Sequence, residues 1–252
     1  MGSFWNQLKL DLAAALVEFC GTMLFLLIGL GGIQAAATSN LAAKANDTTP
    51  APPVANIETL LFIATSMGLS LLATAWTFFR VCGSVFNPNV AIALLLTGAL
   101  KPMRFVLYVC AEIVAGIVAA ALLKAALPGE LAVNCTLGPG VTNGQAVVIE
   151  GFLTFALTLT VLFVAVEKHR ATAFAPCAIG LVLFATHLFG VIYTGAALNS
   201  ARAFGPAVLT GFTSYHWVYW VGPSVGALIA TAIYYMWVID SQYILKITID
   251  PV

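Results

Sequence analysis

The sequence predicts an all-α membrane protein: six transmembrane helices plus two re-entrant half-helices, arranged as an inverted repeat. Three observations lead there. Of 252 residues, 61% are hydrophobic and 8% charged, with a mean hydropathy of +1.01; a soluble domain carries about 25% charged residues. Apolar runs of the ~20 residues that cross a bilayer fall at 12–36, 57–80, 104–126, 144–167, 173–193 and 215–239. Two further apolar stretches, GSVFNPNVAIALLLTG at 83–98 and TGAALNSARAFGPAVLTG at 194–211, are too broken by Gly and Pro to be ordinary spans.

The first span carries Glu18 and Thr22, four residues apart on one helix face. Segment 37–56 is polar and contains Pro, which reads as a loop. It holds the sequon Asn46-Asp47-Thr48, a possible N-glycosylation site. The second span leads into the first broken stretch, with its half-helix expected at 88–98. The third span is followed by a loop with a second sequon, Asn134-Cys135-Thr136. The fourth span repeats the spacing of the first, with Glu150 and Thr154. His169, between Lys168 and Arg170, reads as a solvated loop residue. The fifth span leads into the second broken stretch, half-helix 200–210, and the sixth opens with Trp217, Tyr219 and Trp220, expected as interfacial aromatics.

The chain thus divides into a first repeat, 1–126, and a second, 127–252, within one structural domain. Each has an odd number of spans, so the two lie in opposite senses in the membrane, an arrangement that places the functional site at their interface near the midplane. Lys9, Arg80, Lys101, Arg104, Lys168, Arg170 and Lys246 fall on one side, Lys44 and Lys124 on the other. By the positive-inside rule both termini are cytoplasmic and both sequons lie outside.

Several function classes are excluded or disfavoured. Formal net charge is zero, which gives nucleic acid no electrostatic footing. The five cysteines, Cys20, Cys82, Cys110, Cys135 and Cys177, form no C-x-x-C or Cys/His spacing, so no metal, redox motif or disulfide framework is expected. No nucleophile triad or phosphate loop is present, and neither an enzyme nor a cofactor is expected.

The broken stretches carry the chemistry. Irregular backbone survives in a membrane only when buried in protein or lining a water-filled path. Asn87 and Asn199 stand at the half-helix N-termini, where aligned peptide dipoles sum to roughly +0.5 of a charge. Two such ends facing a narrow path repel cations and protons, while a neutral solute accepts hydrogen bonds from the amides. Arg202 adds a permanent charge that must face water or a partner. These features point to a channel for small neutral molecules.

Glu18 and Glu150 opening each repeat, the run TGAALNSARAFGPAV and the run HWVYWVGPSVGA together resemble the aquaporin (major intrinsic protein) family over nearly the whole chain. The resemblance implies an hourglass monomer with its own pore, packed as a homotetramer, and makes the plasma membrane the expected location. It implies a central constriction at Asn87, Asn199, Asn89 and Ser200. It also implies a selectivity filter of Met67, His187, Ala196 and Arg202, with Glu18 and Glu150 supporting the broken stretches. His187, where glycerol conductors have Gly, resembles the water-selective members, as do Ala203 and the Tyr219-Trp220 pair. The expected function is passive conduction of water, with hydrogen peroxide as a second solute. The alternatives are a channel for glycerol or another small neutral solute, a secondary transporter, or a membrane adhesion protein with a closed pore.

Both signature motifs depart from the family's Asn-Pro-Ala. They read Asn87-Pro88-Asn89 and Asn199-Ser200-Ala201. Asn89 is expected to add a donor and volume at the centre, or to point into packing; Ser200 removes the ring that presets a first helical turn. Val85 stands where many relatives have His, and Glu112 where relatives often have Gln.

Overall fold

The structure, a computed structural model, describes residues 2–46, 57–168 and 170–249. Six long helices form α1 (Gly2–Asn46), α2 (Ile57–Phe78), α4 (Pro102–Ala126), α5 (Asn143–Val161), α6 (Ala175–Thr194) and α8 (Val218–Ile249). Two short ones form α3 (Pro88–Leu96) and α7 (Ser200–Thr210). One π turn, Leu162–Val166, prolongs α5, and a 3-10 turn, Arg170–Phe174, precedes α6. All six long helices contain a stretch apolar enough to cross a membrane, and no strand occurs among the described residues.

Local chemistry sets the helix ends. Pro102 opens α4 at a position whose N–H would be unpaired anyway. Thr142 opens α5 with a capping box: its hydroxyl accepts from Gln145 N at 3.3 Å while Gln145 Oε1 accepts from Thr142 N at 2.9 Å. Leu16, Phe152, Leu181 and Met236 lie exposed on the helix exteriors. Such a surface would be a liability in water but matches hydrocarbon.

The contacts obey a twofold exchange. Helix α1 packs on α2 and α4, as α5 packs on α6 and α8; α7 rests on α4, as α3 rests on α8; α2 meets α6, and α3 meets α7. Swapping α1–α4 for α5–α8 maps this set onto itself. The half-helix α7 comes close because two glycines face each other across the crossing. A side chain added at Gly205 would strike the Gly116 carbonyl oxygen, and one at Gly116 would lie 2.5 Å from the Ala201 oxygen.

Several boundaries differ from the sequence reading, among them those of α1, α3 and α8. Helix α1 continues to Asn46 instead of stopping at 36. No Pro or Gly occurs between Ile33 and Pro50, so nothing breaks the hydrogen-bond ladder after the apolar run ends. Asn40 Oδ1, in this extension, accepts from Thr59 Oγ1 of α2 at 3.1 Å. Helix α3 stops at Leu96 and not at 98, where Thr97 N turns to the Ala93 carbonyl and Gly98 takes φ +75°. Helix α8 runs on to Ile249.

Candidate pore site

The two broken stretches fold alike. In the first, Gly83, Ser84 and Phe86 have φ of +96°, +53° and +52°; in the second, Gly195, Ala196 and Leu198 have +78°, +49° and +53°. The left-handed residues stand four, three and one before Asn87 and Asn199 alike. Only glycine adopts this region freely, and each other residue held there costs about 1–3 kcal/mol. Surrounding hydrogen bonds must therefore hold both loops.

The matching side chains supply them. Tyr108 donates its hydroxyl to the Cys82 carbonyl at 2.6 Å, and Tyr219 donates to the Thr194 carbonyl at 2.9 Å. Each acceptor lies five residues before the loop's asparagine. Glu18 Oε1 accepts from Phe86 N at 2.5 Å. Glu150 Oε1 accepts from Ala197 N at 2.9 Å and Thr194 Oγ1 at 2.6 Å, and Oε2 from Leu198 N at 2.8 Å. Glu112 adds an acceptor in the first repeat only, for Asn87 N at 3.1 Å. At the far ends of the half-helices, Tyr235 OH donates to the Leu96 carbonyl at 2.5 Å, and Lys124 Nζ to the Leu209 carbonyl at 3.3 Å. These donors answer the unpaired carbonyls of each last turn.

At the centre, each asparagine side chain is fixed through both its oxygen and its nitrogen. Asn87 Oδ1 caps α3 through Asn89 N at 2.9 Å; Asn199 Oδ1 caps α7 through Ala201 N at 2.9 Å and Arg202 N at 3.2 Å. The amide nitrogens cross over: Asn87 Nδ2 donates to Leu198 O at 2.9 Å, and Asn199 Nδ2 to Phe86 O at 2.7 Å. An amide nitrogen carries two hydrogens, so each retains one further donor.

Asn87 and Asn199 line a narrow cavity of about 20 Å³ together with Met67 and Arg202; about 10–15 Å³ suffices to hold a water. Much of the remaining wall is apolar: Phe25, Leu71, Val85, Val90, Leu157, Val161, Ile179 and Leu183. Their spacing was a usable signal, since Met67 and Leu71, Leu157 and Val161, and Ile179 and Leu183 are each four apart on one helix face. His187 continues that face by four more residues but does not line this cavity, nor does Ala196. Asn89 and Ser200 do not line it either. They hydrogen-bond to each other, with Ser200 N and Ser200 Oγ each 2.9 Å from Asn89 Oδ1.

Arg202 is 2% exposed. Its Nη1 donates to the Val133 carbonyl at 3.2 Å and Nη2 to the Gly195 carbonyl at 3.5 Å, while Nε has no partner among the described residues. Val133 belongs to the segment 127–142, pinned by Gln34: Nε2 donates to Glu130 O at 3.0 Å and Oε1 accepts from Ala132 N at 2.7 Å. His187 Nδ1 lies 2.9 Å from the Leu183 carbonyl, which can only accept. Nδ1 therefore carries the hydrogen, and Nε2 is a buried acceptor with no partner among the described residues. Met67 packs its sulfur where a side chain at Gly29 would lie, 2.6 Å away. Ala196, fully buried, bonds through its N–H to Thr194 Oγ1 at 3.2 Å.

Other expectations resolve differently. Tyr219 is not interfacial; its ring is fully buried because its hydroxyl anchors the second loop. Asn134 donates from Nδ2, the nitrogen that a glycan would need, to Thr210 Oγ1 at 2.6 Å. Asp47 and Thr48 of the other sequon lie outside the described residues, as does His169. The Gln34 clamp and the Val133 carbonyl had no sequence signal, because segment 127–142 has no periodicity.

The family model described as major intrinsic protein matches residues 5–234. An aquaporin of Laccaria bicolor is 52% identical over 235 residues, covering 93% of this chain and 74% of its own length. Aquaporin-7 of Botryotinia fuckeliana is 43% identical over 230 residues, covering 91% of this chain and 50% of its own. Among solved structures, the X-ray structure of the aquaglyceroporin from Plasmodium falciparum matches with a TM-score of 0.70, over 89% of this chain and 95% of that one. At 19% identity that likeness concerns the fold alone.

Proposed function

The chain belongs to the major intrinsic protein family, an integral multi-pass membrane channel, and we propose that it conducts water passively while excluding ions and protons. The observation that carries this reading is the pair of crossed amides. Asn87 and Asn199 each spend the side-chain oxygen on their own helix and one N–H on the opposite loop. What remains toward the cavity is one donor from each. A water oxygen accepts both, so its own hydrogens point away along the path. No acceptor from these amides is left to relay a proton, and the two helix N-termini add roughly +0.5 of a charge each against cations.

The second barrier is the proposed filter of Arg202, His187, Met67 and Ala196. Arg202 Nε offers a donor and His187 Nε2 an acceptor, both buried and without partners among the described residues. A solute able to use both replaces its lost hydration on two sides, and water and hydrogen peroxide qualify. Glycerol conduction is the second reading. It draws support from the long apolar wall beside the amides, which suits a carbon backbone.

Placing both termini in the cytoplasm, from the Lys and Arg bias, puts segment 127–142 and Arg202 on the outer side. A homotetramer in the plasma membrane follows from the family resemblance, and glycosylation at Asn46 or Asn134 from the sequons. Stopped-flow permeability of reconstituted vesicles tests the central reading. Osmotic water flux should exceed that of empty vesicles with a low activation energy, and peroxide flux should exceed glycerol flux. Water flux equal to empty vesicles overturns conduction, and glycerol flux matching water overturns the filter assignment.

A further inference from the structure

The two residues that depart from the family's motifs face each other. Ser200 holds the first helical position of α7, where a proline would have no N–H to give. Here that N–H exists and points to Asn89 Oδ1 at 2.9 Å, joined by the Ser200 hydroxyl at the same distance. The hydroxyl has one hydrogen and a second acceptor within reach, the Tyr219 carbonyl at 3.0 Å. On the other side of the amide, Asn89 Nδ2 donates to Ser224 Oγ of α8 at 3.1 Å. Asn89 is 2% exposed and Ser200 is fully buried, so water has little access to either. Neither residue suits its site without the other. Asn89 beside a proline would leave a buried oxygen without its two donors, and Ser200 beside an alanine would leave a buried N–H unpaired.

We infer that Asn89 and Ser200 form a mutually dependent clamp between the half-helix N-termini, which positions Asn87 and Asn199 at the centre of the pore. Asn89 follows Asn87 by two residues, and Ser200 follows Asn199 directly. The residue whose backbone N–H caps onto Asn87 Oδ1 thus reaches across with its side-chain oxygen to the first turn of α7. Its oxygen also lies at the end of α7 that carries the positive dipole, where a partial negative charge is favourable. The two helix ends face each other and repel; an acceptor bridging them offsets that repulsion. The clamp sits behind the asparagines and not on the solute path, since neither member lines the cavity. This inference deepens the channel reading and rests on it for its functional half.

The test is a double-mutant cycle on the full chain, purified in detergent and reconstituted: Asn89→Ala, Ser200→Pro, and the pair together. Each single change should lower the thermal midpoint by about 5 °C, lower water permeability per molecule and raise its activation energy. The pair should return both quantities toward the parent. Ser200→Ala, which keeps the N–H, should fall between the parent and Ser200→Pro. Simple addition of the single effects overturns the clamp. Coupling in the midpoint without coupling in activation energy overturns its positioning role. Should a single variant fail to reach the membrane, recovery of the pair supports the clamp and loss of the pair overturns it. A parent chain that passes no water overturns the channel reading, and the midpoint cycle then still decides the clamp by itself.

Discussion

Replacing Glu150 by Ala should unseat the second re-entrant loop. Its carboxylate receives three hydrogen bonds, from Thr194 Oγ1, Ala197 N and Leu198 N. Thr194 has an alternative acceptor in the Gly190 carbonyl at 3.4 Å, so its loss is partly compensated. The two backbone N–H groups have none in the structure, and Ala197 and Leu198 are buried at 2% and 0% exposure. Leaving a buried donor unpaired costs about 1–3 kcal/mol each, so the pair costs about 2–6 kcal/mol. The same loop holds Ala196 and Leu198 at positive φ, strain that these bonds help to oppose. Glu150→Gln is the control. Its amide oxygen still accepts, but its NH₂ meets one of the donors, so about half the loss should remain. Thermal unfolding in detergent should fall by roughly 4–24 °C for the Ala variant, taking about 2–4 °C per kcal/mol. Water permeability per reconstituted molecule should fall roughly tenfold, because Asn199 is placed by this loop. An Ala variant that melts within a degree of the parent with unchanged flux would refute the view that Glu150 holds the loop.

Arg202→Ala should raise the ratio of glycerol to water permeability about tenfold, equal to about 1.4 kcal/mol of barrier, when both fluxes are measured on the same vesicles. Gly205→Leu should prevent α7 from seating on α4, because the added side chain meets the Gly116 carbonyl; no folded, monodisperse protein should be recovered. His216 lies before α8, packed edge-on to Phe212 at 4.8 Å between ring centroids, and burial holds its pKa below the ordinary histidine range. A lowered folded pKa means that the stabilisation is fully present above the unfolded value, about 6.5, and is lost as pH falls through the folded one. Melting between pH 7 and 4 should show a loss of stability on acidification that His216→Phe reduces.

What was legible in the sequence was whatever is local along the chain. Asn87 and Asn199 could be placed at helix N-termini because Gly, Asn and the following apolar run lie within a few residues of one another. The bounds of α7, 200–210, followed directly. Glu18 and Glu150 could be matched because the same Glu-Thr spacing opens each repeat. The rest depended on which surfaces meet. Asn89 and Ser200 are 111 residues apart, and no local pattern says that a serine N–H will find that amide. Tyr219 looked interfacial because an aromatic at a helix start usually is; its burial follows from a carbonyl that only the folded loop presents. The extension of α1 to Asn46 was not legible because a polar stretch can be loop or helix, and polar helix formers merely mark where the apolar run stops.

The two repeats also differ where selectivity is proposed. Asn87 and Asn199 have the same φ within 5°, −155° and −150°, and make reciprocal bonds, so the centre is close to symmetric. Three residues beyond each stand Val90 and Arg202, equivalent positions that both line the cavity. One end of the path therefore meets a guanidinium and the other an isopropyl group. A second arginine would need its own carbonyl partners. Arg202 finds two, one in segment 127–142; a buried charge without such partners is costly. In the proposed channel a solute crossing in series would be limited by its highest barrier, so one charged constriction would set selectivity for both directions. The valine end can then stay apolar and hold water weakly, which favours rapid exit. Val90→Arg should accordingly destabilise the chain without sharpening selectivity, measured as a lower melting midpoint with an unchanged ratio of glycerol to water flux. A variant of parental stability with a lower ratio would show that the asymmetry is not imposed by the scarcity of partners at that end.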